Sequence, residues 1–130
     1  MPKIVVSGSA KLPEKINYWV NYFNNKGYEV LDYPKNINKE EFLDLYSMRH
    51  KEFYQNIKKT DVLFIMNEDK NGIEGYIGPA VFAELSYGII EYLNDRDILL
   101  MLLKMPSKEV IGYEEINLWL KLGWIKIWEE

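Results

Sequence analysis

Apolar and polar positions along the chain keep two rhythms, one of strands and one of helices. Lys3 to Ser7 is a short run built on Ile4-Val5-Val6 and stopped at Gly8, the pattern of a buried strand. Pro13 suits the first turn of a helix, and Ile16, Trp19, Val20 and Phe23 then recur at helical spacing up to Gly27, where a glycine would end it. Tyr28 to Asp32 reads as a second strand, closed by Pro34. Asn38 with Glu41 matches a capping box and opens a long helix to Lys59, with Phe42, Leu45, Tyr46, Phe53 and Ile57 on one face and a break expected near Ser47. Asp61 to Met66 is the clearest buried strand. Asn67 to Gly78 is a polar, glycine-bearing loop, and Pro79 opens a third helix with Phe82, Leu85, Ser86, Ile89 and Leu93 on one side. Asp97 to Leu103 is a fourth strand, Tyr113 to Leu122 a short amphipathic helix, and Ile125 to Trp128 a last strand.

Strands and helices therefore alternate from end to end. Strands apolar on both faces, separated by helices, call for a parallel sheet covered on each side. With right-handed crossovers the expected fold is α/β, a single-domain flavodoxin-like, Rossmann-type three-layer sandwich on a five-stranded parallel sheet. No linker or internal repeat divides residues 1–130.

Composition narrows the chemistry more than the fold. An apolar share of 48% over 130 residues supports one packed core. Twenty acidic against 16 basic side chains give a net charge of -4, which disfavours a nucleic-acid polymer as partner. The absence of Cys removes thiolate nucleophiles, disulfides and Cys-based zinc sites, and a single His disfavours a metal centre. Neither a metal nor another cofactor is expected. No apolar run approaches the length of a secretory or membrane-spanning segment, so no membrane association and a cytoplasmic location are expected.

In a sheet of order 2-1-3-4-5, ligands bind beyond the carboxyl ends of strands one and three. Two loops meet there, Ser7-Gly8-Ser9 and Asn67 to Gly78. The first can offer backbone N–H and hydroxyl groups to a phosphate or sugar, or be an ordinary tight turn; it is neither GxGxxG nor a P-loop. The second carries Gly75-Tyr76-Ile77-Gly78 into a helix bearing Glu84 between Ala83 and Leu85. A carboxylate in apolar surroundings costs desolvation unless it is paired or used, and a solvated Glu84 is the plain alternative. His50, the only imidazole, lies on the long helix with Glu52 and Tyr54 and is by itself more in keeping with a surface or core role. Trp119, Trp124 and Trp128 read as core or subunit interface.

These residues resemble the nucleoside 2-deoxyribosyltransferase superfamily. The resemblance covers about Lys3 to Leu103 and rests on Ile4-Val5-Val6-Ser7-Gly8-Ser9, on Ile57 and Asp61 ahead of strand three, and on Gly75-Tyr76-Ile77-Gly78 with Phe82-Ala83-Glu84-Leu85-Ser86-Tyr87-Gly88. It implies a carboxylate nucleophile at Glu84 that attacks an anomeric carbon, expels a base and forms a glycosyl ester resolved by water or a second base. It also implies a sugar resting on Ser7, Gly8 and Ser9, contacts from Asn67, Gly75, Tyr76 and Gly78, and assembly as a homodimer or larger. The family's acidic residue ahead of strand three falls near Phe53, which leaves His50 and Glu52 as the nearby candidates for a proton donor. A second family Asp falls near Gly78, and the tyrosine usual after strand one is replaced by Ser7 or Ser9.

The expected ligand is a small nucleoside or nucleotide, and the expected activity is cleavage or transfer at its N-glycosidic bond. The alternative is a nucleotide- or nucleoside-binding module of the same fold without turnover. A relative of the cytokinin-riboside-monophosphate phosphoribohydrolases ranks lower, because their Pro-Gly-Gly-x-Gly-Thr loop is absent.

Overall fold

A computed structural model describes residues 1–130. The chain runs β1 (Lys3–Ser7), α1 (Pro13–Asn25), β2 (Glu29–Asp32), α2 (Phe42–Lys59), β3 (Val62–Ile65), α3 (Pro79–Leu93), β4 (Leu99–Leu102), α4 (Tyr113–Lys121) and β5 (Lys126–Ile127). All five strands are parallel, in the order β2-β1-β3-β4-β5, so the expected fold class holds. The reversal of strand order lies between β1 and β3, in register from Ile4 opposite Val62 to Ser7 opposite Ile65. No helix is long and apolar enough to cross a membrane.

The two faces of the sheet carry separate cores. On one side α2, α3 and α4 bury Phe53, Ile57, Leu85, Ile89 and Ile116 against Val5, Leu63, Ile65 and Leu100. On the other, α1 alone buries Ile16, Trp19 and Phe23 against Ile4, Val6 and Phe64, with Trp128 packed beside them. Alternate residues of β1 and β3 thus feed opposite cores, as the two-residue period of a strand requires.

Several local expectations need correction. α2 is continuous through Ser47. Asn38 does not cap it directly: its side chain accepts from the Glu40 N–H and caps a single 3₁₀ turn, Lys39–Glu41, that precedes the helix. The expected apolar face of α2 is buried only in its second half, at Phe53 and Ile57, while Phe42 and Tyr46 are each 44% exposed. α3 buries Val81, Leu85, Gly88 and Ile89, and the Leu93 expected with them is exposed. The reason is a close approach. A Cβ at Gly88 would come within 2.8 Å of Leu100 and 2.9 Å of Leu63, so α3 lies on β3 and β4 along its smallest residue and is rotated to suit.

α2 is packed into the core at one end only. Beyond Phe53 and Ile57, the Arg96 guanidinium donates to the Thr60 and Ile57 carbonyls at 2.8 and 2.6 Å, which satisfies two acceptors at the C-terminal end of the helix. Its first two turns stand over the carboxyl edge of the sheet.

Candidate functional site

A cavity of about 610 Å³ opens at that edge, between the β1–α1 turn, the β2–α2 loop, the first half of α2 and the start of α3. Glu84 lines it from the second turn of α3. Pro79 at the first helical position needs no N–H partner, and the extended Gly78 before it lets the chain turn from loop into helix.

Glu84 has one protein donor. Ser7, fully buried at the end of β1, donates its hydroxyl to Glu84 Oε1 at 2.5 Å. Burial pushes the Glu84 carboxyl up to about 7; the Ser7 hydrogen bond opposes this, and the nearby Asp32 charge adds to it. A carboxyl in that range is a nucleophile or a proton carrier near neutral pH. Burial and the Glu84 charge also raise the Tyr54 phenol.

Asp32 was missed in the sequence. It ends β2, is 2% exposed, and accepts three hydrogen bonds, from the Tyr33 N–H, Lys35 Nζ and Asn56 Nδ2, all at 2.9 Å, with the Arg49 guanidinium as an ion-pair partner at 3.7 Å. It is a saturated anchor that fixes Arg49 and Lys35 on the cavity wall. Its position at the carboxyl end of a strand beside the switch point was the available signal.

The aromatic wall was missed as well. Phe42, Tyr46 and His50 succeed one another on α2, with ring centroids 5.3 and 4.0 Å apart, and all three line the cavity. The four-residue spacing is visible in the sequence, but Phe42 and Tyr46 are expected there on the core face, and His50 outside that stripe.

The expected site residues divide into two groups. Gly8, Ser9, His50, Tyr76, Gly78 and Glu84 meet around the cavity, with Ser7 bonded to Glu84 beneath. Glu52, Asn67 and Gly75 do not line it. Glu52 is exposed and pairs with Arg49 at 2.9 Å. Asn67 spends its amide inside the fold, donating to the Gly75 and Lys104 carbonyls and accepting from the Lys104 N–H. Gly75 has φ of 60°, and a Cβ there would sit 2.8 Å from Pro106, so it packs this loop against the segment after β4. The Gly75 N–H donates to Asp69 at 2.9 Å, a bond that lowers the Asp69 carboxyl. These residues shape the Gly-rich loop that carries Tyr76 and Gly78 to the cavity.

No protein-family model matches the chain, and no curated protein is detectably similar to it in sequence.

Proposed function

We propose that the chain is an enzyme cleaving or transferring at the N-glycosidic bond of a nucleoside or nucleotide, with Glu84 as nucleophile. One observation carries the reading. Glu84 is a desolvated carboxyl lining a cavity of nucleotide size, held by a single hydroxyl and otherwise free to meet a ligand. The resemblance of Gly75 to Gly78 and Phe82 to Gly88 to the nucleoside 2-deoxyribosyltransferase superfamily supports it.

In this reading the base lies against the Tyr46 and His50 rings, and the sugar sits over Glu84 with its 5′ side toward the turn at Gly8 and Ser9. An ionised Glu84 oxygen attacks the anomeric carbon as the carbon–nitrogen bond breaks, and that bonding pair leaves with the base. The base takes a proton from His50 or from water; Glu52, turned outward to Arg49, is not in reach of the cavity. Water or a second base then attacks the same carbon, and the ester oxygen departs as the Glu84 carboxylate. The attacking group's proton returns to His50 or solvent. Two inversions give net retention.

The test is covalent. Incubation with 2-fluoro-sugar nucleosides and nucleotides should add one glycosyl mass to the intact chain, mapped to the Glu84 peptide, and Glu84→Gln should carry none. Base release by wild-type enzyme should fall at least about a thousandfold in Glu84→Gln. No adduct and no base release from any nucleoside or nucleotide would overturn the assignment. Binding without turnover is the second reading, because Glu84 is the only carboxyl group lining the cavity and retaining glycosidases commonly use two. Ligand-induced rises in melting temperature without base release would favour it.

Cytoplasmic location and homo-oligomeric assembly belong to the same proposal. Leu43, Ile90 and Leu93, each more than half exposed on α2 and α3, are apolar surface that assembly would cover. Light scattering giving only the monomer mass would remove that part.

A further inference from the structure

The wall of the cavity does not share the charge of the molecule. The chain carries a net charge of -4, yet Lys11, Lys35, Lys39, Arg49 and Lys70 line the cavity against Glu84 alone. Arg49 and Lys35 answer the Asp32 carboxylate just behind the wall. Lys11, Lys39 and Lys70 make no ion pair. Three unpaired cations, beside two that share the Asp32 carboxylate, focus a positive potential into one concave site, and so select an anionic ligand.

Lys70 shows where that anion belongs. It comes from the β3–α3 loop, fixed by the Lys70–Ile73 bridge, and is partly buried. Its ammonium donates to Ser9 Oγ at 2.9 Å and stands 5.0 Å over the Tyr76 ring, with no carboxylate to neutralise it. Ser9 Oγ also accepts the Lys11 N–H, at 3.3 Å, so its own proton is free for a ligand. The backbone N–H groups of Gly8, Ser9 and Ala10 donate to no acceptor in the chain. Ammonium, hydroxyl and unpartnered amides thus converge on one turn, at the end of the cavity next to Ser7 and Glu84. This is the donor set of a phosphate monoester: one full charge for electrostatics and several N–H and O–H donors for its oxygens. A neutral sugar hydroxyl gives no reason for an unpaired ammonium.

We propose that the Gly8–Ala10 turn, Ser9 and Lys70 form a phosphate subsite, and that the substrate of the Glu84 site is a nucleoside 5′-monophosphate in preference to the free nucleoside. The inference rests on the Glu84 reading for the reaction, but the subsite stands on its own contacts. Lys70 and Ser9 set specificity; neither touches the breaking bond.

Base release should be measured for the common ribo- and 2′-deoxyribonucleosides and for their 5′-monophosphates, with wild type, Lys70→Met and Ser9→Ala. A charge-assisted contact predicts that kcat/KM favours the monophosphate at least about tenfold, that the advantage lies in KM, and that it shrinks with added salt. Lys70→Met should bring the ratio of monophosphate to nucleoside toward unity, and Ser9→Ala should lower it in the same direction. Ser9→Ala alone decides the point if Lys70→Met does not fold. In parallel, melting temperatures of Glu84→Gln with each ligand report binding without chemistry; the monophosphate should give the larger rise, lost when Lys70→Met is added. Equal or better use of nucleosides, or a preference unchanged in the variants, overturns the phosphate subsite while the Glu84 reading survives. No base release, with a Lys70-dependent rise for monophosphates, overturns the Glu84 reading and supports the subsite. Neither release nor a rise overturns both.

Discussion

Asp32 and Glu84 are two carboxyl groups set at the same edge of one sheet, and the fold treats them in opposite ways. Asp32 is almost wholly buried and receives donors from Tyr33, Lys35, Arg49 and Asn56. Glu84 has Ser7 alone. Burial without donors raises an acid, whereas burial among donors and cations turns it into a structural anchor. The contrast separates a carboxylate whose acceptor positions are filled from a carboxyl with a single donor facing a cavity. The two also interact, since the Asp32 charge helps to raise Glu84.

The largest effect should come from breaking the anchor. Asp32→Ala leaves Arg49, Lys35 and Asn56 without their common acceptor and should cost about 4 kcal/mol of stability, read from urea midpoints at neutral pH. Glu84→Gln should do the reverse. Burial lifts the Glu84 carboxyl from its ordinary 4.5 to about 7, so its stabilising contribution is complete below about 4.5 and is lost as pH rises through about 7. The Gln variant should therefore match wild type near pH 4 and exceed it by as much as about 3 kcal/mol at pH 8. A constant difference at all pH values would mean that Glu84 does not titrate as a buried acid.

The Ser7 bond lowers Glu84 and the Asp32 charge raises it, so each can be removed to shift the midpoint in a known direction. Ser7→Ala should move the acid limb of the pH–rate profile up by about one unit, and Asp32→Asn should move it down by less. A carboxyl-carbon NMR titration of Glu84 gives the same answer without turnover. The smallest effect belongs to Glu52, which is exposed and does not line the cavity although its partner Arg49 does. Glu52→Gln should change stability by less than about 0.5 kcal/mol.

The sheet order, every helix and strand, and the Glu84 side of the site were legible because they depend on local rhythm and on a topological rule. Ile4-Val5-Val6 and Val62 to Ile65 could only be buried strands, and Pro79 marked the start of α3 without ambiguity. What escaped reading depended on which partner a residue meets. Asn67 and Gly75 looked like ligand contacts because polar and glycine residues near a switch point suggest them; their actual partners, around Lys104 and Pro106, come from a distant part of the chain. Asp32 looked like the end of a strand, since nothing local announces that Arg49 and Asn56 arrive from the next helix. Lys70 is a lysine in a polar loop until the fold lays it on Ser9.

The one-ended attachment of α2 gives the helix two different thermodynamic lives. From Phe53 to Thr60 it is tied to the core and to Arg96, so those amides should exchange with solvent only in the largest unfolding events. From Phe42 to His50 it has the cavity beneath it instead of packed side chains, and its exchange should proceed through small local openings. The half that carries the aromatic wall is thus tied to the fold by the Arg49–Asp32 ion pair rather than by packed side chains. A ligand filling the cavity would pack against this half of the helix, and part of its binding energy would go into the conformational entropy that the helix gives up.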